Sequence, residues 1–125
     1  RIESFILKKG INDALMRASQ YSRAGADAIL IHSKQKNPKE IFEFSKKFKK
    51  SKYFKFLIAV PSSYSKTYEK QLFKNGFSVV IYANHMLRAS YLSMNRVAEK
   101  ILKNNRSFES EKEISSINQL LKYSK

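Results

Sequence analysis

Three polar residues that can do chemistry, His32, Ser33 and Lys34, directly follow a short apolar run at residues 28–31. A histidine can transfer a proton or donate to an anion near neutral pH, and the serine and lysine beside it add donors. The apolar run is typical of a short buried strand, and Gly25 before it predicts the end of a helix. Because α/β proteins bind ligands at the C-terminal tips of strands, this cluster is predicted to lie at a functional edge.

Arg1 is a second candidate, because the first three residues resemble the end of another strand. Its guanidinium can present a charged fork to a phosphate or a carboxylate. Glu3 shares its strand face and is predicted to orient Arg1 or a metal-bound water. The structural alternatives are a surface arginine and a buried histidine at position 32. Asn84 and His85 follow the last predicted strand, where an N-cap and a structural first-turn residue are expected.

The net charge of +15 raises an alternative of another class, a basic nucleic-acid-binding module. The densest lysine block, residues 46–52, falls at a predicted helix end, where cations suit the helix dipole. We therefore predict solvated lysines and no nucleic-acid partner. Cysteine is absent and the three glycines cannot form a phosphate-binding loop. No run of about 18 apolar residues predicts a membrane span, so the expected location is the cytoplasm.

Strands and helices alternate at about 25–30 residues per unit, which predicts parallel strands joined by helical crossovers. The chain would then be the second half of a (β/α)8 TIM barrel over residues 1–104, followed by a linker and terminal helix over residues 105–125. An open doubly wound sheet is the alternative. After the opening strand end, the predicted elements are a helix at 11–24, a strand at 27–32, a helix capped by Asn37 with Pro38 at its first position, a strand at 54–60, a helix at 66–74, a strand at 77–83, a helix at 84–104 and a helix at 111–123.

Five short segments, taken together, resemble the phosphoenolpyruvate mutase branch of the isocitrate lyase superfamily. They occur in the family's order and at fitting spacing. They are residues 1–6, similar to a strand ending in Arg-x-Glu-Ala; residues 24–34, with His32-Ser33-Lys34; Val60-Pro61 followed by Tyr64; residues 81–89, with Ala83-Asn84-His85 and Leu87-Arg88-Ala89; and residues 114–121, similar to the terminal helix.

The resemblance implies a magnesium-dependent interconversion of phosphoenolpyruvate and phosphonopyruvate, the step that forms the P–C bond in phosphonate biosynthesis. It implies that Arg1 and His32 are catalytic and contact the migrating phosphoryl group. From their positions beside these two residues, Ser33 is expected to help to bind substrate and Glu3 to orient Arg1. It also implies a homodimer or homotetramer with exchanged terminal helices. A membrane partner is not expected, because no apolar run is long enough to span a bilayer. In the family, the aspartates that hold Mg²⁺ and a mobile lid precede the position of Arg1. We therefore expect the chain to be part of a longer protein, without metal ligands of its own and inactive alone.

Phosphonopyruvate hydrolase is the closest alternative, since it shares the arginine and the His-Ser pair. Other enzymes of the superfamily that act on C–C or P–C bonds are a further alternative. Ala83 favours the mutase, because the hydrolase tends to have glycine there. Ser62 stands where the family has threonine after Val-Pro, which is a mild change.

Overall fold

The computed structural model describes residues 1–123, in which short strands and helices alternate. Residue contacts divide the chain into two compact units, and the second begins at Asn84. The predicted division into residues 1–104 and 105–125 stays a prediction, and residues 124 and 125 lie outside the described part. The elements are α1 Gly10–Arg23, β1 Ala28–Leu30, α2 Lys39–Phe48, β2 Phe56–Ala59, α3 Glu69–Lys74, β3 Val79–Val80, α4 His85–Asn104, a 3₁₀ helix Phe108–Glu113 and α5 Ile117–Leu121.

The strands of the first unit form one parallel sheet in the order β1-β2-β3, with Ile29 opposite Leu57. The N-terminal segment continues this order, because Ile2 forms a parallel bridge with Ile31. The predicted α/β class with parallel strands is therefore confirmed. A doubly wound sheet reverses its strand order at a switch point, and the described strands show no reversal. The half barrel itself stays a prediction.

The core of the first unit lies between this sheet and the helices that connect its strands. Phe44 and Phe48 of α2 stack with ring centroids 5.5 Å apart, and Phe54 packs 5.7 Å from Phe48. Fully burying one such large apolar side chain contributes about 1.5–3 kcal/mol. The buried cluster comprises Ile2, Ala14, Ala18, Ile29, Ile31, Ile41, Phe44, Phe48, Leu57, Ala59, Tyr64, Leu72 and Phe77.

The first crossover, α1, forms where the apolar spacing predicts it. It buries Ala14 and Ala18, one turn apart, on the face toward the core. Gly25 has φ +103°, a left-handed conformation in which glycine ends a helix without steric penalty. The predicted stop at Gly25 is therefore confirmed. Helix α2 begins at Lys39, one residue later than predicted, so the prediction of Asn37 as its N-cap is wrong and Pro38 holds that position. The Asn37 side chain accepts from the Lys39 N–H at 3.0 Å, which forms an Asx turn just before the helix.

The regular parts of the second and third strands are shorter than the predicted ranges 54–60 and 77–83. The hydrogen bonds continue beyond them, since the Ile81 N–H donates to the Ala59 carbonyl at 2.9 Å. Helix α3 also begins later than residue 66. Tyr68 is extended, with φ −69° and ψ 147°, and its N–H donates to the Gln71 side chain at 3.0 Å. This local contact sets the first turn of α3 at Glu69.

The second unit agrees with its prediction at its start and differs from it at its end. Asn84 holds the N-cap position of α4 as predicted, although its side chain makes no capping hydrogen bond. The single helix predicted over residues 111–123 is wrong, because the chain is extended at Ile114. Ser116 and Gln119 then form a reciprocal capping box, which begins a new helix at Ile117.

Helix α4 is the longest helix in the part of the chain that the structure describes, at 20 residues. Neither it nor any other helix within residues 1–123 is long and apolar enough to cross a membrane. None of its side chains is buried, and large apolar residues such as Met86, Leu87 and Leu102 are more than 70% exposed. An apolar surface of this extent is typical of an interaction face.

Candidate anion-binding site

The site is built at the C-terminal tip of β1, where the N-terminal segment lies alongside it. The Ile2 N–H donates to the Leu30 carbonyl at 2.8 Å, and the His32 N–H donates to the Ile2 carbonyl at 3.3 Å. These two bonds set the register of the two segments. They place the residues on either side of Ile2, Arg1 and Glu3, next to His32.

The side chains of Arg1, Glu3 and His32, here named the Arg1 cluster, are in direct contact. Arg1 Nη2 lies 3.0 Å from His32 Nδ1, and Arg1 Nε forms an ion pair with Glu3 Oε1. Glu3 Oε1 also lies 4.0 Å from His32 Nδ1. The side chains of Arg1, Glu3 and His32 are 58%, 35% and 24% exposed, so a ligand can reach all three. The predicted proximity of Arg1 and His32 is confirmed, and their contact with a ligand stays a prediction.

The contact between Arg1 and His32 determines which proton the imidazole can offer. A guanidinium has only donors, so Nδ1 of His32 accepts in this contact and the neutral ring carries its proton on Nε2. Arg1 keeps the N–H groups that do not face Glu3 or His32. Together the pair presents a fixed positive charge and a neutral N–H donor, which is a combination that suits the oxygens of a phosphate or a carboxylate.

Ser33 and Lys34, the other two residues of the predicted cluster, are placed differently from His32. Lys34 is exposed, whereas Ser33 is fully buried. The Ser33 hydroxyl donates to Glu40 Oε1 and accepts from the Gln35 N–H at 3.0 Å. Glu40 is not among the residues that the sequence patterns single out. Its available signal was a carboxylate in the first turn of the helix that follows the strand tip, where negative charge suits the helix dipole.

The Arg1 cluster does not by itself make a metal site. Mg²⁺ takes several oxygen ligands, mostly carboxylates and waters, in a near-octahedral shell. The cluster has one carboxylate, that of Glu3, and Arg1 occupies it as an ion-pair partner. Among residues 1–123 there is no group of three or more His, Cys, Asp or Glu side chains that could hold a metal ion.

Two tyrosines lie in the loops that follow β2 and β3. Tyr64 is buried, and burial raises the pKa of its hydroxyl to about 12. The Tyr82 hydroxyl donates to Glu69 Oε1 at 2.8 Å, and this hydrogen bond raises the pKa of Tyr82 above its ordinary value. A shallow cavity of about 780 Å³ lies beside Tyr82, lined also by residues 65–70. Neither Arg1 nor His32 lines this cavity.

Known proteins of one enzyme family match most of this chain. The sequence profile of the phosphoenolpyruvate phosphomutase family matches residues 1–102. A phosphoenolpyruvate phosphomutase of Tetrahymena pyriformis is 42% identical over 101 residues, which cover 81% of this chain and 33% of that protein. A phosphonopyruvate hydrolase of Variovorax sp. (strain Pal2) is 37% identical over 102 residues, which cover 81% of this chain and 34% of that protein.

A solved structure is similar along almost the whole chain. It is a phosphonopyruvate hydrolase in complex with oxalate and Mg²⁺, with a TM-score of 0.86 and 32% sequence identity. The match covers 98% of this chain and 42% of that structure.

A parallel α/β unit with an arginine and a histidine in contact at a strand tip defines the general class, that of α/β proteins with polar side chains gathered at the C-terminal ends of parallel strands. Within that class, the chain belongs to the phosphoenolpyruvate phosphomutase family. It spans about a third of the length of the curated relatives that it matches.

Proposed function

We propose that the natural protein that carries this chain interconverts phosphoenolpyruvate and phosphonopyruvate, and that the Arg1 cluster holds the phosphoryl group. The observation that carries the proposal is the 3.0 Å contact of Arg1 Nη2 with His32 Nδ1 at the tip of β1. Family membership supports it, because the two residues match the family's strand-end arginine and its His-Ser-Lys segment. The parallel strands, each paired with the next in sequence, support the half barrel as the scaffold.

The chemistry suits these two side chains. In the reaction, the bond between phosphorus and the enol oxygen breaks and a bond between phosphorus and carbon forms. The moving phosphoryl group carries charge on its outer oxygens throughout, and fixed donors stabilise that charge. Arg1 binds these oxygens with the N–H groups that remain free. His32 donates from Nε2, and Glu3 orients the guanidinium by holding its Nε.

Mg²⁺ is part of the proposal, because the hydrolase structure holds Mg²⁺ with oxalate. The residues of the Arg1 cluster do not fit the metal. We therefore propose that carboxylates outside this chain hold the ion, and that the chain alone is inactive. The substrates would be phosphoenolpyruvate and phosphonopyruvate. The natural protein would be a homodimer or a homotetramer in the cytoplasm.

Hydrolysis of phosphonopyruvate is the second candidate function, favoured by the hydrolase relative and the hydrolase structure. The two functions differ in their product. The purified natural protein is incubated with phosphonopyruvate and Mg²⁺, and the reaction is followed by ³¹P NMR. The mutase converts the phosphonate signal to that of phosphoenolpyruvate, whereas the hydrolase converts it to inorganic phosphate. A spectrum that stays unchanged would contradict both functions.

A further inference from the structure

Ser33 is adjacent to His32, yet its hydroxyl is already committed. A hydroxyl has one proton to donate, and that of Ser33 goes to Glu40 Oε1. Its oxygen accepts from the Gln35 N–H at 3.0 Å, and the residue is 0% exposed. The Ser33 hydroxyl therefore has no proton left to donate to a phosphoryl oxygen.

The partner of Ser33, Glu40, is in the first turn of α2. A carboxylate is favoured there by the positive end of the helix dipole, and a hydrogen bond to an ionised acceptor is stronger than one between neutral groups. The Ser33–Glu40 bond thus connects the tip of β1 to the start of α2 across the loop at residues 34–38.

His32 lies between two anchors of this kind. On its N-terminal side, its own N–H bonds to the Ile2 carbonyl, and on its C-terminal side Ser33 bonds to Glu40. The imidazole can meet Arg1 only if the backbone of residue 32 keeps its direction. A displacement of about 1 Å in a reacting group can reduce a rate about 100-fold.

We propose that Ser33 and Glu40 are positioning residues, which hold the His32 imidazole against Arg1 without touching the substrate. The proposal rests on the proposed function, since it concerns the rate of that reaction. It replaces the substrate-binding role that the sequence suggested for Ser33. It adds Glu40, a residue seven positions away, to the residues on which activity depends.

The test uses the natural protein that carries the chain, with kcat and KM measured for phosphonopyruvate. We expect Ser33→Ala and Glu40→Ala each to lower kcat about 10- to 100-fold, with KM changed less than about threefold. The double variant should be no slower than the slower single variant, because both changes remove the same bond.

Glu40→Gln keeps an acceptor for the serine proton and should restore most of kcat. Glu43→Gln is the matched control, because Glu43 is on the same helix and pairs only with exposed Lys47 among the ion pairs found in residues 1–123.

Three outcomes would overturn the proposal. The first is an unchanged kcat in Ser33→Ala. The second is a rise in KM alone in that variant, which would mean direct contact of Ser33 with the substrate. The third is a double variant whose loss of kcat is the full sum, in free energy, of the two single losses. If Ser33→Ala does not fold by circular dichroism, the comparison of Glu40→Ala with Glu43→Ala decides, and equal kcat losses in these two would also overturn it.

A second readout separates this proposal from the proposed function. The ¹⁵N NMR signals of the His32 ring report its tautomer whether or not the protein turns over substrate. If the wild type lacks activity, the proposed function fails. A loss of the Nε2–H pattern in Ser33→Ala would still support the positioning role, and an unchanged pattern would refute it.

Discussion

At the scale of single residues, Arg1 and His32 each limit what the other side chain can do. The guanidinium forces Nδ1 of His32 to accept, and the imidazole in turn fixes one end of the guanidinium. Glu3 holds the other end through Nε. The donors that remain are therefore preorganised, and they need little rearrangement when a charge develops near them.

This arrangement leads to a prediction for His32. We expect His32→Ala in the natural protein to lower kcat about 100- to 1,000-fold, the loss typical of removing one donor to a developing charge. KM should change little, because Arg1 still binds the phosphoryl group. Lys34→Ala, which removes an exposed neighbouring cation, is the control and should keep kcat within about twofold of wild type. A rise in KM with kcat unchanged would show that His32 binds substrate only in the ground state.

Asp13 gives a pH-dependent prediction. Hydrogen bonds from Arg17 and Ser4 lower the pKa of Asp13 below its ordinary value of 3.8. The contribution to stability is therefore complete above the unfolded pKa and is lost as the pH falls through the folded pKa. We expect urea midpoints to fall more between about pH 5 and pH 2 in wild type than in Asp13→Asn. Exposed Asp27 offers the control, since Asp27→Asn should keep the wild-type slope; parallel curves for wild type and Asp13→Asn would contradict the assignment.

Among the site residues, the position of a side chain could be predicted where nearby sequence determines it. It could not be predicted where a partner distant in the sequence determines it. The placement of His32 follows from an apolar run and a glycine stop within eight residues. The partner of Ser33 could not be predicted, because the loop at residues 34–38 has no pattern that fixes its path. Arg1 and His32 could be brought together only by assuming that their two segments are neighbours.

At the scale of elements, Gly76 shows how one turn sets the approach of α3 to β3. It has φ +91°, which other residues rarely adopt. A Cβ built there would lie 2.0 Å from Lys49 Cε and 3.0 Å from Ser45 Oγ. The end of the flexible Lys49 side chain can move away from such a Cβ. Ser45 is buried and bonds to the Asn75 carbonyl at 2.5 Å, so it has less room to shift.

We expect Gly76→Ala to destabilise the natural protein by about 1–2 kcal/mol, chiefly through the left-handed backbone. Gly76→Asn should destabilise it less if the backbone dominates, since asparagine tolerates this conformation better. Chemical unfolding measures both. The background variant Lys49→Ala tests the side-chain clash: if it removes the effect of Gly76→Ala, sterics rather than backbone strain are the cause.

The elements themselves were predicted well in type and order, but less well in their bounds. Periodicity located α1 and α4 because their apolar spacing is long and regular. It failed for residues 111–123, where Ile114, Ile117 and Leu121 fit one helix but Ser116 and Gln119 cap a new one. The capping box joins two residues that are three positions apart. These local hydrogen bonds determine where the helix begins, whereas the apolar spacing over residues 111–123 is only a weak helical signal.

At the scale of the whole molecule, the charge of +15 bears on the choice of partner. We expect only weak, sequence-independent DNA or RNA binding in gel shifts of the natural protein at about 150 mM salt, because binding by dispersed lysines is mostly counterion release and is lost with salt. The same titration at about 50 mM salt provides the comparison. Tight, sequence-selective binding at the higher salt would instead support the nucleic-acid module.

The terminal segment gives a prediction about assembly. Ile117, Leu120 and Leu121 of α5 are each more than half exposed, as are Met86 and Leu87 of α4. Apolar side chains at this exposure favour burial on a neighbour, and the family resemblance implies exchange between subunits. We expect deletion of residues 105–125 from the natural protein to reduce its mass by light scattering to that of a smaller oligomer. An unchanged oligomer would rule out exchange through this segment, and the substitution Lys122→Ala should leave assembly intact.

The contact of Arg1 with His32 also has a consequence for how the protein folds. The two residues are 31 positions apart, and helix α1 occupies much of the chain between them. Closing such a loop costs chain entropy that no local contact offsets, so the pair forms only when the whole crossover has packed. An anion that binds the closed pair, and not the open chain, therefore stabilises the entire strand–helix–strand unit by mass action. A ligand of this site would therefore raise the free energy of unfolding of the first 32 residues of the chain.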